Sequence, residues 1–243
     1  PLPFETSWHI KAADLLSYKQ TILELKQRYA DQIEILLGLE VDYIPGVISP
    51  RHASIKTISL DYTIGSVHFL GVLSDGKAWV VDGPQQQLER GLEESFGGNV
   101  RALVEEFYRR TSEMLLRFTP DILGHFDLVK KNNQNNHFFS EDQDWYRRAV
   151  QGALIALQKS GAVMEVNTGG LARNTCTALY PSEWILAECL KLGIPLVLNS
   201  DAHTPEGLDA LFPQTTQLLA EIGFRELRLL SKNGWQTVPI TPA

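Results

Sequence analysis

The sequence predicts an α/β domain built on a mostly parallel sheet. Three observations lead there. Strand-like apolar runs alternate with helical patterns along the chain, the order expected of βαβ units. The 243 residues are 44% hydrophobic, enough for one large domain with ample core. Several apolar runs end in carboxylates and imidazoles, and sites in parallel α/β folds lie at the C-terminal ends of strands.

The elements follow in order. Residues 12–30 read as a helix with Leu15, Leu16, Ile22, Leu23 and Leu25 on one face. Residues 33–41 read as a buried strand, 64–70 as a second strand and 79–81 as a short one. Residues 100–118 form a helix that stops before Pro120. A third main strand is expected at 122–126. A helix follows at 140–157, with acidic residues in its first turn where the helix dipole favours them. Residues 162–166 are the fourth main strand, and 182–192 a helix closed by Gly193. Residues 196–199 are the fifth, and 227–230 with 236–240 a terminal hairpin around Lys232-Asn233-Gly234. Gln85-Gln86-Gln87 and 132–136 read as short polar loops. With no repeat and no long linker, residues 1–243 are one domain.

Composition narrows the function classes. The net charge of -7 argues against a generic nucleic-acid binder, which usually shows a basic face. It leaves room for a small anionic substrate in a locally basic pocket. Cys176 and Cys189 lack zinc-ribbon spacing and imply no disulfide scaffold, which fits a reduced, cytoplasmic setting. No apolar run approaches the roughly 18 residues of a membrane span, and no signal peptide is visible. Oligomeric state is left open.

The strand ends carry the chemistry. The first delivers Glu40 and Asp42, the second Ser66 and His68, and the third His125 and Asp127. The fourth delivers Glu165 and Asn167, and the fifth Asp201 and His203. Asp201 and His203 are two apart, so they point the same way if the chain is still extended. The bland alternative is a helix-capping Asp201 beside a surface His203. A single histidine at a strand end is more often structural, and His9, His52 and His137 are read that way. His68, His125 and His203 all fall at strand ends beside glycine or aspartate, which favours a mixed imidazole and carboxylate site. Such donors suit zinc, manganese or iron(II) without cysteine.

The segments Gly-Leu-Glu-Val-Asp-Tyr (38–43), Gly-Ser-Val-His (65–68), Gly-His-Phe-Asp-Leu-Val-Lys-Lys (124–131), Glu-Val-Asn-Thr-Gly-Gly-Leu-Ala-Arg (165–173) and Asn-Ser-Asp-Ala-His (199–203) lie in order over nearly the whole chain. Together they resemble the polymerase-and-histidinol-phosphatase (PHP) superfamily. The Asp-Tyr at 42–43 and the Leu-Ala-Arg at 171–173 point to its histidinol-phosphatase branch. The resemblance implies a distorted seven-stranded (β/α) barrel with two or three metal ions at its C-terminal face. It implies Glu40 as a bridging ligand, with His68, His125, Asp201 and His203 completing the part of the cluster carried here. It implies hydrolysis of L-histidinol phosphate, a small phosphorylated substrate of histidine biosynthesis, by hydroxide bound to the cluster. These five residues are then also the catalytic ones.

Arg173 is the candidate phosphate ligand, because a guanidinium grips phosphate bidentately; a solvated loop arginine is the alternative. Ser66 and Asn167 are candidate pocket polar groups. Lys130 and Lys131 fit either pocket charge or a solvated face, and Asp127 a partner that orients a ligand histidine. Glu165 fits pocket or structure, and Asp42 or Glu5 the carboxylate expected near a substrate amine. The family opens with a His-x-His strand and a second strand that this chain, starting at Pro1, does not show. The expectation is therefore a barrel lacking its first two strands and roughly 40 further residues upstream, about two βα units. Two other readings stand beside the lead: another phosphoesterase of the superfamily, and a truncated module without activity.

Overall fold

The computed structural model describes residues 9–241. A short 3-10 turn leads into α1 (Leu15–Arg28), followed by β1 (Gly38–Asp42), α2 (Ala53–Lys56) and β2 (Tyr62–Ser66). Then come β3 (Phe69–Val72), β4 (Ala78–Val80), α3 (Gln85–Phe96), α4 (Val100–Phe118) and β5 (Ile122–Leu123). The remainder is α5 (Asp144–Ser160), β6 (Val163–Asn167), α6 (Gly169–Ala172), α7 (Glu183–Leu192), β7 (Leu196–Asn199), α8 (Phe212–Ile222) and the pair β8 (Glu226–Ser231) and β9 (Gly234–Pro239).

Five strands form one sheet in the order β1-β2-β5-β6-β7. Every neighbouring pair in it is parallel. These are the five main strands expected from the sequence. Two antiparallel ribbons, β3-β4 and β8-β9, stand apart. No helix among the described residues is long and apolar enough to cross a membrane.

Alternation along the strands gives the sheet two faces. Leu123, Met164, Val166 and Leu196 join the large core beneath α4, α5 and α7, with Phe107, Met114, Tyr146, Leu154 and Leu186. On the other face Ile122, Val163 and Val197 form a smaller apolar layer with Tyr62, Ile64 and Trp235. Asn99 caps α4 by accepting from the Ala102 N–H at 3.0 Å. Gly161 and Gly193 end α5 and α7 in the left-handed region, where a side chain would be strained.

Several expectations are corrected. The run 64–70 is not one strand. Pairing with β1 and β5 ends by Ser66, and the chain turns so that the His68 carbonyl accepts from Val81 N–H at 2.9 Å. Phe69 onward then pairs antiparallel with β4. The third main strand is cut to Ile122–Leu123. Gln85-Gln86-Gln87 is not a loop but the first turn of α3, behind Pro84 and above a buried face of Leu88, Gly91 and Leu92. Glutamine is a good helix former, and Gly97 supplies the left-handed C-cap. The polar run 132–136 is a turn whose Asn133 amide is tied to the Phe138 and Phe139 backbone. α8 went unforeseen, although Pro213 stands in its first turn. The expected apolar face of α1 buries no residue, and Leu16 is 75% exposed. α1 is held instead by Tyr18 Oη on the Gly38 carbonyl at 2.7 Å and by a Lys26–Asp61 ion pair.

Gly91 gives a test of this packing. A Cβ there would lie 2.3 Å from the ring of Trp79, which is fully buried. Gly91→Ala is expected to destabilise by about 1–3 kcal/mol through overpacking, against the usual gain for alanine in a helix. Urea unfolding of the two proteins checks the sign.

Candidate metal centre

Glu40 sits inside β1 and His68 just beyond β2. His125 follows Gly124, whose N–H extends the β5 pairing to the Gly65 carbonyl at 3.0 Å. The parallel register brings these three strand ends side by side. One donor atom from each of Glu40, His68 and His125 lies within 4.8 Å of the others. Glu40 Oε1 is 2.9 Å from His125 Nε2 and 3.7 Å from His68 Nε2. The two imidazole rings meet edge-on, with centroids 4.8 Å apart. Gly124 makes the approach possible, since a Cβ there would fall 2.6 Å from Ser66 Oγ.

The electrostatics suit a cation. Desolvation opposes charge in the cluster, although the Glu40 side chain is 42% exposed, and the His125 hydrogen bond and the two imidazoles hold Glu40 well below the usual carboxylate range. Burial likewise disfavours a charged His68, but Asp42, followed by Glu40 and Asp82, pushes its pKa up to about 10. His125 is raised by Glu40 against burial and its neighbour His68. A pocket that draws protons onto two imidazoles also draws a metal ion, which competes for the same lone pairs. Glu40 Oε1 stands 2.9 and 3.7 Å from the two imidazole nitrogens, separations open to a carboxylate and an imidazole each about 2.0–2.2 Å from a shared ion. The residues therefore fit a divalent metal.

Asp42 lies behind the cluster. Its Oδ1 is 2.6 Å from His68 Nδ1, which leaves Nε2 facing Glu40. That is how a carboxylate fixes the tautomer and ring plane of a ligand histidine. Asp42 is thus engaged by a histidine, and Glu5, the other candidate for a substrate amine, lies outside the described residues.

Asp201 and His203 are placed differently from the extended pair anticipated. β7 ends at Asn199, and Asp201 turns into the left-handed region at φ 48°. The two remain near each other, with His203 Nε2 3.4 Å from Asp201 Oδ1 and His203 68% exposed on its side chain. They are not in the three-residue group of Glu40, His68 and His125. Arg173 joins them instead, donating from Nη2 to Asp201 Oδ2 at 2.9 Å and from Nη1 to the Asp201 carbonyl. A Cβ on Gly169 would strike both Arg173 Nη1 and the Ser200 carbonyl at 2.7 Å, so only glycine allows this close packing.

The other sequence candidates divide. Asn167 is buried and internally committed, donating to Glu165 Oε2 at 3.1 Å and accepting from Gly169 N–H at 2.9 Å. Ser66 is buried with no hydrogen-bond partner for its Oγ. Lys130 belongs neither to an open pocket nor to a solvated face. It is buried, with Nζ 2.7 Å from Asp127 Oδ2 and donating to the Leu179 carbonyl at 2.8 Å. Asp127 therefore serves this internal ion pair and the Ser182 N–H rather than a histidine ring.

Sequence reasoning missed Asp82 and Tyr180. Burial works against charge on Asp82, but His68, Lys131 and His125 together lower its pKa, and Lys131 Nζ stands 3.3 Å from its Oδ2. The strand-end rule, applied to the short run 79–81, would have found it. The Tyr180 ring lies 6.5 Å from that of His125, with Lys130 Nζ over it at 5.4 Å.

The fold and the donor set define a parallel α/β protein with a His/carboxylate centre at its strand ends. The PHP domain model matches residues 8–169. A histidinol-phosphatase of Bacillus subtilis is 30% identical over 209 residues, covering 84% of this chain and 75% of that protein. A Deinococcus radiodurans protein named "Probable histidinol-phosphatase" is 30% identical over 227 residues, covering 93% and 80%. The solved histidinol phosphate phosphatase of Lactococcus lactis, complexed with zinc, L-histidinol and phosphate, superposes with TM-score 0.63 at 20% identity, covering 91% of this chain and 79% of that one. The chain belongs to the PHP domain family and, with these relatives, to its histidinol-phosphatase branch.

Asp42→Ala is expected to weaken zinc binding about 10–100-fold, the usual cost of losing such an orienting partner. Competition against a chromophoric chelator measures it, with circular dichroism confirming the fold.

Proposed function

We propose that the protein hydrolyses L-histidinol phosphate to L-histidinol and phosphate with a divalent cation held by Glu40, His68 and His125. The observation that carries this reading is the convergence of those three donors within 4.8 Å at parallel strand ends, in a chain of the histidinol-phosphatase branch. Zinc, manganese and iron(II) all suit the donor set. A divalent cation there supplies Lewis acidity, acidifying water and offsetting phosphoryl charge.

The chain's own residues do the rest. Glu40 contributes the anionic charge, kept by its low pKa across the physiological range. Asp42 holds the His68 Nδ1 proton, so Nε2 offers its lone pair inward. Arg173 is the anion grip, poised on Asp201 and able to exchange that carboxylate for two phosphate oxygens. Asp201 and His203 stand beside it as further donors for a second ion or for a proton at the leaving oxygen.

Phosphate release from L-histidinol phosphate, assayed with added manganese or zinc and with a chelator control, tests this. Metal-dependent turnover is expected, and His125→Ala should lower kcat/KM by at least about 100-fold, beyond the usual cost of losing an outer partner. No turnover by a folded, metal-loaded protein overturns the assignment. Arg173→Lys keeps the charge and loses the fork. It is expected to raise KM about tenfold while leaving cation affinity in place, which steady-state kinetics and chelator competition separate.

A further inference from the structure

Glu165 is a carboxylate in an unusual position. It lies within β6, in register with Val197, and is 3% exposed. Among the described residues no lysine or arginine forms an ion pair with it. All its hydrogen bonds come from neutral N–H groups. Oε2 accepts from the His125 backbone N–H at 2.8 Å and from Asn167 Nδ2 at 3.1 Å. Oε1 accepts from Asn199 Nδ2 at 2.8 Å. The donors come from three successive strand ends: β5, β6 and β7.

The ladder explains why a side chain is needed. β5 pairs with β6 only through Ile122–Val163 and Leu123–Met164. At His125 the chain has left the sheet, and it turns at once into a 3-10 helix at Leu128–Lys130. No β6 carbonyl is paired with the His125 N–H, which would be a buried orphan donor. The Glu165 carboxylate takes that place, two residues beyond the last ladder pair. The backbone that aims the His125 ring at Glu40 is therefore fixed by a side chain rather than by the sheet.

We propose that Glu165 is the positioning residue for His125, clamping the ends of β5, β6 and β7 so that His125 Nε2 stays on the cation. The inference rests on the proposed metal site. Glu165 touches no substrate and need not move a proton. Its role is to hold a neighbour, with the reach of its second methylene as the decisive property.

Cobalt(II) affinity and the visible absorption of the cobalt-loaded protein test it, beside the thermal midpoint of the metal-free protein. Glu165→Leu removes every acceptor. It is expected to bind cobalt at least about tenfold more weakly, with altered bands, while the protein stays folded. Glu165→Gln keeps an acceptor for the His125 N–H, because the Asn199 amide can turn its oxygen to the new NH2. It should hold affinity within a few-fold of wild type. Glu165→Asp keeps the charge and loses the reach, so it should resemble the leucine variant, and it decides the matter if leucine prevents folding. A purely structural Glu165 would lower the thermal midpoint and leave cobalt affinity and bands unchanged in both the Leu and Asp variants; that result overturns the inference. Failure of the wild-type protein to bind cobalt would instead sink the metal reading, and this inference with it.

Discussion

The constraint on which the rest depends is the need to satisfy polar groups buried where five parallel strands end. On the face opposite the large core, Ile122, Val163 and Val197 form an apolar floor with Tyr62, Ile64 and Trp235. One pleat further along, the same face carries Glu165 and Asn167 on β6 and Asn199 on β7. A side-chain period of two puts Val163, Glu165 and Asn167 on one face, and Val197 and Asn199 beside them. A one-residue slip of β6 would turn Glu165 into the apolar core with Met164 and Val166. The price of an unpaired buried carboxylate thus fixes the register, and the register sets the site.

Charge is distributed around that floor by the same logic. Lys130 is neutralised by Asp127, Lys131 by Asp82 and Arg173 by Asp201. Each cation near the strand ends has its own carboxylate. What remains is Glu40 and Asp42 beside two imidazoles, with no lysine or arginine paired to either carboxylate among the described residues. Proton affinity is raised at His68 and His125 for that reason. A divalent ion held there would answer the same field with two charges rather than one.

The sheet was legible because apolar runs and their breakers are local signals. All five parallel strands and α4, α5 and α7 fall on the expected runs, with β1 beginning at Gly38, β2 ending at Ser66, β5 cut to Ile122–Leu123 and α5 spanning Asp144–Ser160. The break at Val67-His68 was not, since it depends on a hydrogen bond to Val81 from a different ribbon. α3 was hidden because three glutamines read as polar loop when only their hydropathy is weighed. Within the candidate site, the convergence of Glu40, His68 and His125 was legible from their places at strand ends. The partners that hold them were less so: Asp42 on His68, and Glu165 on a backbone N–H rather than a ring. Those roles depend on which residue faces which across the sheet. Lys130 shows the same limit, since sequence does not tell a buried amine from a solvated one.

The two halves of the site are joined through the floor rather than across the pocket. Glu165 holds His125 and Asn167, Asn167 accepts from Gly169 N–H, and Gly169 packs beneath the Arg173–Asp201 pair. The proposed cation donors stand on β1 and beyond β2 and β5, and the guanidinium on the β6–β7 side. A phosphomonoester needs both, a Lewis acid for its oxygens and a fork to orient them. Both follow the ends of strands in one sheet, so strand spacing and register help to set their separation. The buried polar floor therefore does for the proposed reaction what it does for the fold: it allows one arrangement of the strand ends and penalises the others.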